Sequence, residues 1–375
     1  LWSLFIFAPL RAIYKILIYL RKQYSVDLRA LALMRIGIGV VILSDLIIRA
    51  TSLTAHYTED GILPVALLQE FDHKPLRWSF HYLNDTFAYQ CSLFILQGIL
   101  TLFLILGYRT KLITLLSWIM MVSLQNRNPF IQQSGDDLLR YVLLWGVFLP
   151  WGNFYSIDSK YRNTHRTQYF SLASLGYLLL IVSVYLFSAI QKTSPEWRTE
   201  FTALYYALSL EQLKVGIGDW LYEYPTLMKL FTFLVFYYFE LIVPILLLLP
   251  FRNQKFRLLC VFSILILHLG IASALYVGLF WIIGMTSSLG LLSFEFMNRI
   301  DRVLKNNSIS IRQRFRTKMN ISSRVILNCF FIFLISYSIM YNLGHVRNFK
   351  YALDDRTVHI TDALKLEQYW GMFSP

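Results

Sequence analysis

Ionisable side chains are rare inside the apolar runs of this sequence, and six of those that occur there limit the chemistry it could perform. They are Arg35, Asp45, Arg140, Lys192, Glu240 and His268. A charged group in hydrocarbon is costly unless a partner or a water-filled cavity receives it, so each marks either a tie between helices or part of a site. Lys192 lies in Phe187-Ser188-Ala189-Ile190-Gln191-Lys192-Thr193-Ser194-Pro195-Glu196-Trp197, where an apolar run meets a polar segment. Two readings of it are open. As a long amphipathic side chain beside Trp197 it would snorkel to the membrane interface. In an apolar pocket, where an ammonium is disfavoured, its amine would serve as a general base, and a phenol or hydroquinone arriving from the lipid would be a suitable proton donor.

His268, in Ile266-Leu267-His268-Leu269-Gly270, reads either as a hydrogen-bonded packing histidine or as a proton relay or ligand-orienting group. Glu240, in Tyr237-Tyr238-Phe239-Glu240-Leu241, is too apolar in setting to remain ionised without a cation, so it either pairs or stays protonated. Arg35 and Asp45 are ten residues apart in one run, about 15 Å along a helix, and each is expected to find its partner elsewhere. Arg140 follows the acidic pair Asp136-Asp137 and falls near the depth of Asp45. These charges read as pins between neighbouring helices, with a functional cavity shaped by Arg140, Asp136 and Asp45 as the alternative.

Other chemistries find little support. His56, His73 and His81 are irregularly spaced, with no i, i+4 pair beside a carboxylate, and no metal site is expected. Cys91, Cys260 and Cys329 each sit in an apolar run as small apolar residues and give no disulfide framework. There is no phosphate-cradling glycine loop, nucleophile elbow or dinucleotide fingerprint.

The elements that must position these residues are membrane helices. Of 375 residues, 56% are hydrophobic and only 15% charged, well below the roughly 25% charged of a soluble chain. A spanning helix takes roughly 20 apolar residues. Runs of about that length recur near 30-50, 86-106, 111-126, 137-151, 170-190, 226-249, 257-276, 278-296 and 324-344, of which 111-126 and 137-151 are short. The pair 257-276 and 278-296 is joined around Tyr276-Val277-Gly278, which permits a tight hairpin.

The net charge of +13 is spread between these runs instead of forming one stripe, so it reads as a topology signal and no nucleic-acid partner is expected. Basic residues and acidic residues alternate from loop to loop: Arg21, Lys22 and Arg29; then Arg109 and Lys111; then Lys160, Arg162 and Arg166; then Arg252, Lys255 and Arg257; then the strongly basic 299-324. Between them lie Glu59, Asp60, Asp136, Asp137, Glu196, Glu200, Asp219 and Glu223. With basic loops inside, the expectation is an all-α, polytopic helical bundle of about nine transmembrane helices, N-terminus inside and C-terminus outside. It forms a single domain over 1-375, with an interfacial helix over 1-25 and long outer loops over 51-85 and 191-225. The start at Leu1 and the stop at Pro375 lead to the expectation that it is cut from a longer chain.

Several motifs in order resemble the horizontally transferred transmembrane (HTTM) domain family, the membrane part shared with vitamin K-dependent gamma-carboxylase. They are Ala32-Leu33-Met34-Arg35-Ile36-Gly37, Tyr57-Thr58-Glu59-Asp60-Gly61-Ile62-Leu63-Pro64, Arg127-Asn128-Pro129, Gly135-Asp136-Asp137-Leu138-Leu139-Arg140 and Phe148-Leu149-Pro150-Trp151-Gly152. The Lys192 to Trp197 stretch and Gln368-Tyr369-Trp370-Gly371-Met372-Phe373-Ser374-Pro375 complete the set. The resemblance implies that Lys192 deprotonates a reduced quinone, which then reacts with oxygen to give a strong base and an epoxide. Around Ser134 to Asp137, where the carboxylase pattern offers an active-site histidine, this sequence has none, and as far as Pro375 it does not include the soluble portion expected of a carboxylase. Both departures point away from glutamate carboxylation.

The leading expectation is therefore a multi-pass protein of a bacterial inner membrane that binds or oxidises a lipophilic quinol, a quinol-dependent oxygenase if it is an enzyme. Lys192 and His268 would be catalytic, and Arg140, Asp136, Asp45 and Trp197 would line the binding site. Membrane lipid is an expected partner and a reduced quinone the expected co-substrate. The alternative is a noncatalytic lipid-binding or scaffold subunit of a membrane complex, and a secondary transporter ranks last because no internal repeat is present.

Overall fold

The computed structural model describes residues 14–72, 74, 76–161, 167–303, 320–346, 359 and 361–372. His73, the start of the interfacial segment, Arg162, Arg166, most of the basic loop 299-324 and the closing Phe373-Ser374-Pro375 lie outside the described residues. A helix over 14–24 (α1) leads into a two-residue strand, Val26–Asp27, paired antiparallel with Gln168–Tyr169. Asp27 then caps the long helix α2 (Leu28–Ala50), its carboxylate accepting the Arg29 amide. The same carboxylate and Asp301 hold the Arg29 guanidinium, each at 2.6 Å.

The remaining long helices follow in order: α3 (Phe87–Leu106), α4 (Thr110–Arg127), α5 (Ser134–Phe148), α6 (Leu172–Gln191), α7 (Pro225–Leu248), α8 (Asn253–Ala274), α9 (Phe280–Ser288), α10 (Phe294–Val303) and α11 (Ile321–Gly344). Several of the ends have a local cause. Gly107 closes α3 in the left-handed conformation at φ 68°, open to glycine because it has no Cβ. Gln133 and Asp136 form a reciprocal cap at α5, and Ser171 and Ser174 do the same at α6.

Among the described residues six helices are long and apolar enough to cross a membrane: α2, α3, α6, α7, α8 and α11. The chain is thus a multi-pass helical membrane protein. The bundle is arranged inside out relative to a soluble protein. Ile95, Leu96, Ile99 and Leu102 of α3, Phe262, Ile266 and Leu269 of α8, and Val325, Ile326 and Ile332 of α11 face outward, as a lipid solvent demands. Polar groups turn inward. The short runs expected over 111-126 and 137-151 are helical, as α4 and α5. The fifteen-residue α5 is sheathed by protein: Leu139, Val142 and Leu143 are fully buried and Tyr141 and Trp145 nearly so. A helix covered by its neighbours does not need the length or apolarity of a lipid-facing span.

The run 278-296 departs from expectation. It is a nine-residue helix, α9, that tightens at Leu289–Leu291 and turns by 95° into α10. Gly290, next to the bend, is packed closely: a Cβ there would stand 2.7 Å from the Tyr177 hydroxyl and 2.9 Å from the Met34 sulfur. Counting the bent pair as one span gives seven candidates among the described residues.

α7 is also irregular. Its middle third, Leu234–Ile242, is wound as a π-helix, and the Val243 amide reaches back five residues to the Tyr238 carbonyl. Pro244 supplies the reason. It has no amide hydrogen, and in an α-helix its ring would collide with the carbonyl four residues earlier, which is that of Glu240. Widening the turn relieves the collision. Such bulges frequently mark functional positions, and this one carries Glu240.

Candidate functional site

Helix α6 presents Tyr185, Ser188 and Lys192 at i, i+3 and i+7, a spacing that places them along one face. Opposite Lys192 is Glu240 on the π segment. The Lys192 Nζ donates to Glu240 Oε1 and, at 3.1 Å, to Ser188 Oγ, while the Ser188 hydroxyl donates to the same Glu240 oxygen at 3.0 Å. The Trp197 ring closes the remaining side, its centroid 4.1 Å from Nζ. Lys192 is 1% exposed, so its side chain turns inward and does not snorkel outward. Glu240 pairs, which is one of the two states the sequence left open for it. Its second oxygen, Oε2, is buried without a hydrogen-bond partner among the described residues.

One turn down α6, the Tyr185 hydroxyl lies 2.8 Å from His268 Nε2 on α8. The imidazole is clamped between the Phe280 ring, with centroids 5.2 Å apart, and the backbone of Gly284, where an added Cβ would fall 2.1 Å from Nε2. Glycine is required there by close approach, not by backbone conformation. The Nδ1 atom of His268 has no partner among the described residues. His268 and Lys192 therefore address the same helix face through different partners, and among the described residues no hydrogen bond joins them.

The other candidates form two ion clusters near the same end of the bundle, joined by Gln125, whose Oε1 accepts from Arg140 and whose Nε2 donates to the Asp136 carbonyl at 3.0 Å. Asp45 pairs with Arg49 at 2.8 Å, and Arg49 reaches Asp136 at 2.6 Å and the Tyr57 hydroxyl at 3.2 Å. Arg140 binds Asp137 at 2.9 Å, the Gln125 side-chain oxygen and the Glu367 carbonyl. Asp45, expected to find its partner elsewhere, pairs instead with Arg49 of its own helix, because a partner four residues along the same helix is nearer than one on a neighbour. Asp136 is committed twice, to Arg49 and, through Oδ2, to the Gln133 amide at 2.9 Å. Among the described residues neither cluster shares a hydrogen bond or ion pair with the Lys192 amine. Arg35 ties α2 to its neighbours through carbonyls of Leu104, Ile105, Trp151 and Tyr155 and not through a carboxylate.

Two sequence motifs distant in the chain meet beside these clusters. Arg127 donates to the carbonyls of Leu63 and Thr58, and the Asn128 amide donates to that of His56. The C-terminal strap, 361–372, lies across this end, tied by Tyr141 to the Leu366 carbonyl and by Trp78 to that of Ala363 at 2.7 Å. Gly371 fits against the side chain of Gln191, next to Lys192: a Cβ there would lie 2.3 Å from Oε1. Burial would raise the Glu367 carboxyl, but Lys365, Arg140 and Lys74 together hold it down at about 2.

A cleft of about 430 Å³ opens between α5, the α8–α9 joint and the strap, lined by Gln133, Ser134, Gly135, Tyr276, Phe280 and Met372 among others. It stops short of Lys192. Phe280, which packs on His268, and Met372, next to Gly371, form the walls between the cleft and the polar face of α6. Among the described residues no three His, Cys, Asp or Glu side chains gather as a metal-binding group.

Sequence reasoning missed Arg49 and its place between two carboxylates, although its spacing from Asp45 was a signal. No family model, curated protein or solved structure matches this chain, so the site is read from its own geometry.

Proposed function

We propose that this protein is an HTTM-type membrane protein in which Lys192, paired with Glu240, takes a proton from a lipophilic quinol. The observation that carries the reading is the enclosed amine: Lys192 Nζ is held by one carboxylate oxygen, one hydroxyl and one indole face, on a helix widened at its partner. A purely structural lysine at a span end would reach water. Here the amine is sequestered, where a carboxylate can receive or return the proton that the amine exchanges with a substrate hydroxyl. Overall, a hydroquinone and dioxygen would give the quinone epoxide and water, and the residues' share of this is the first deprotonation. His268, oriented by Tyr185, is the second polar group of the same face.

The substrate reaches this face through the 430 Å³ cleft, with Phe280 and Met372 displaced. Gln133 and Ser134 at its rim and aromatic walls at Tyr276 and Phe280 suit a flat, apolar ring carrying oxygens. The topology that accompanies the proposal is nine crossings, with α4, α5 and the bent α9–α10 pair added to the six apolar spans, the N-terminus cytoplasmic and Lys192 on the outer side of a bacterial inner membrane. The alternation of basic and acidic loops supports this arrangement.

The test is quinol-dependent oxygen uptake and epoxide formation by the purified protein in lipid, with Lys192→Ala beside the wild type. Loss of at least a hundredfold in the variant, with folding intact, supports the base role. Turnover unchanged without the lysine removes it. A folded wild type that consumes no quinol favours the noncatalytic lipid-binding or scaffold reading, which the lipid-facing exterior also accommodates.

A further inference from the structure

At the opposite end of the bundle, away from Lys192, the strand pair Val26–Asp27 and Gln168–Tyr169 gathers the N-terminal ends of α2 and α6. The start of α8 joins them: the Gln254 and Arg257 side chains donate to the Ser25 carbonyl, at 3.2 and 2.6 Å. Spans that begin together define the depth at which hydrocarbon gives way to headgroups. At that depth lies a groove of about 490 Å³ lined by Ile18, Arg21, Lys22, Ser25, Gln168 and Phe294, with Thr167, Tyr169 and Phe170. No carboxylate lines it. Arg21 and Lys22 are exposed, and neither forms an ion pair among the described residues. Behind Ser25, the buried Arg257 has Nε and Nη2 without hydrogen-bond partners among the described residues. The nearby carboxylates Asp27 and Asp301 are both bound by Arg29, so the lining keeps its positive excess.

We propose that this groove holds one anionic phospholipid, its phosphate against Arg21 and Lys22 and its acyl chains along α1. The walls fit an amphiphile and not a free ion. Ile18, Phe170 and Phe294 supply an apolar side continuous with Tyr14, Ile16 and Leu17, which α1 leaves facing outward. An interfacial helix with its apolar face outward lies in the headgroup plane. Basic pockets between span ends at that level receive anionic headgroups, whereas a zwitterionic lipid gains no net attraction there.

The experiment is lipid retention, read by native mass spectrometry, after the purified protein is exchanged through mixed micelles holding equal phosphatidylglycerol and phosphatidylcholine of the same acyl chains. Wild type is expected to keep one phosphatidylglycerol in preference. Arg21→Gln with Lys22→Gln is expected to lose that preference by about thirtyfold, the effect of two interfacial cations. Arg21→Lys with Lys22→Arg should keep it, and because both residues are exposed the variants fold as the wild type does. Equal retention of the two lipids by wild type, an unaltered preference in the glutamine variant, or displacement of the lipid by millimolar inorganic phosphate would each overturn the proposal. The readout is independent of quinol turnover.

Discussion

The Lys192–Glu240 pair makes a quantitative prediction that separates a charge pair from mere proximity. Both side chains are sealed in the bundle, at 2% and 9% side-chain exposure, and water cannot solvate a survivor. Removing one member of a buried pair leaves a desolvated charge and costs about 3–5 kcal/mol, whereas replacing both by apolar side chains of similar volume is nearly neutral. Lys192→Met and Glu240→Leu should therefore each lower the unfolding free energy in micelles by about 3–5 kcal/mol. The double variant should return to within about 1 kcal/mol of wild type, so that the coupling energy nearly equals the sum of the two single costs. The assay is equilibrium unfolding of the four proteins in a mixed-micelle denaturant titration, followed by tryptophan fluorescence. Two singles that are each within about 1 kcal/mol of wild type, or a double whose loss equals the sum of the singles, would refute the pairing. Activity separates the two roles: the double variant should be stable and inactive, because the restored packing does not restore the amine.

Three further perturbations test the surroundings. Gly284→Ala should cost about 1–3 kcal/mol, because its Cβ meets the His268 ring, and combining it with His268→Ala should recover most of that loss; additive melting shifts would count against the clamp. Arg49→Met should destabilise more than Asp45→Asn, by about 3 kcal/mol or more, since one cation serves two carboxylates, and equal losses in urea unfolding would sink that reading. His81, outside the long helices, is buried, which lowers its imidazole to about 4 against an ordinary value near 6.5. The unfolded chain thus takes the proton first as pH falls, so stability is full above about 6.5 and declines until about 4, by about 3 kcal/mol in total. Unfolding at pH 7 and pH 5 should show this slope, and His81→Asn should lack it. The Glu367 contribution, present above about 4.3, is lost only as pH falls toward about 2 and so does not overlap the upper part of that window.

The helices were legible in the sequence because lipid imposes a length and a polarity on anything that crosses it. Hydropathy is blind to direction and to winding, however. The window 278-296 is apolar apart from Thr286-Ser287-Ser288, Ser293 and Glu295, and hydropathy averages over these small interruptions, so the 95° turn after α9 did not stand out. The π segment of α7 is equally apolar, and its one signal was Pro244, four residues after Glu240. Composition also singled out the ionisable candidates, since a polar side chain in such a run has few reasons to be there. Their partners were another matter. Asp45 and Arg49 could be joined by local spacing alone, but Lys192 and Glu240 lie on different spans and are joined only by how α6 and α7 pack.

Depth shows why that pairing resisted reading. Lys192 ends α6, whereas Glu240 lies fifteen residues into α7, about 22 Å along its axis, so equal starting levels would set them far apart. The spans do not start level. The first turns of α7 stand beyond the end of α6, where Met228 packs with Leu208 and Leu275 instead of with the bundle core. Phe236, two turns further along, is the residue that meets Ala189 and Trp197. Glu240 then falls one turn below Phe236, at the level of Ser188. Helical side chains lean toward their own N-terminus, so Lys192 reaches back one turn to the same level. Offset of α7, backward lean of Lys192 and the widened turn at Glu240 converge on one oxygen, and no one of them is visible in a hydropathy plot.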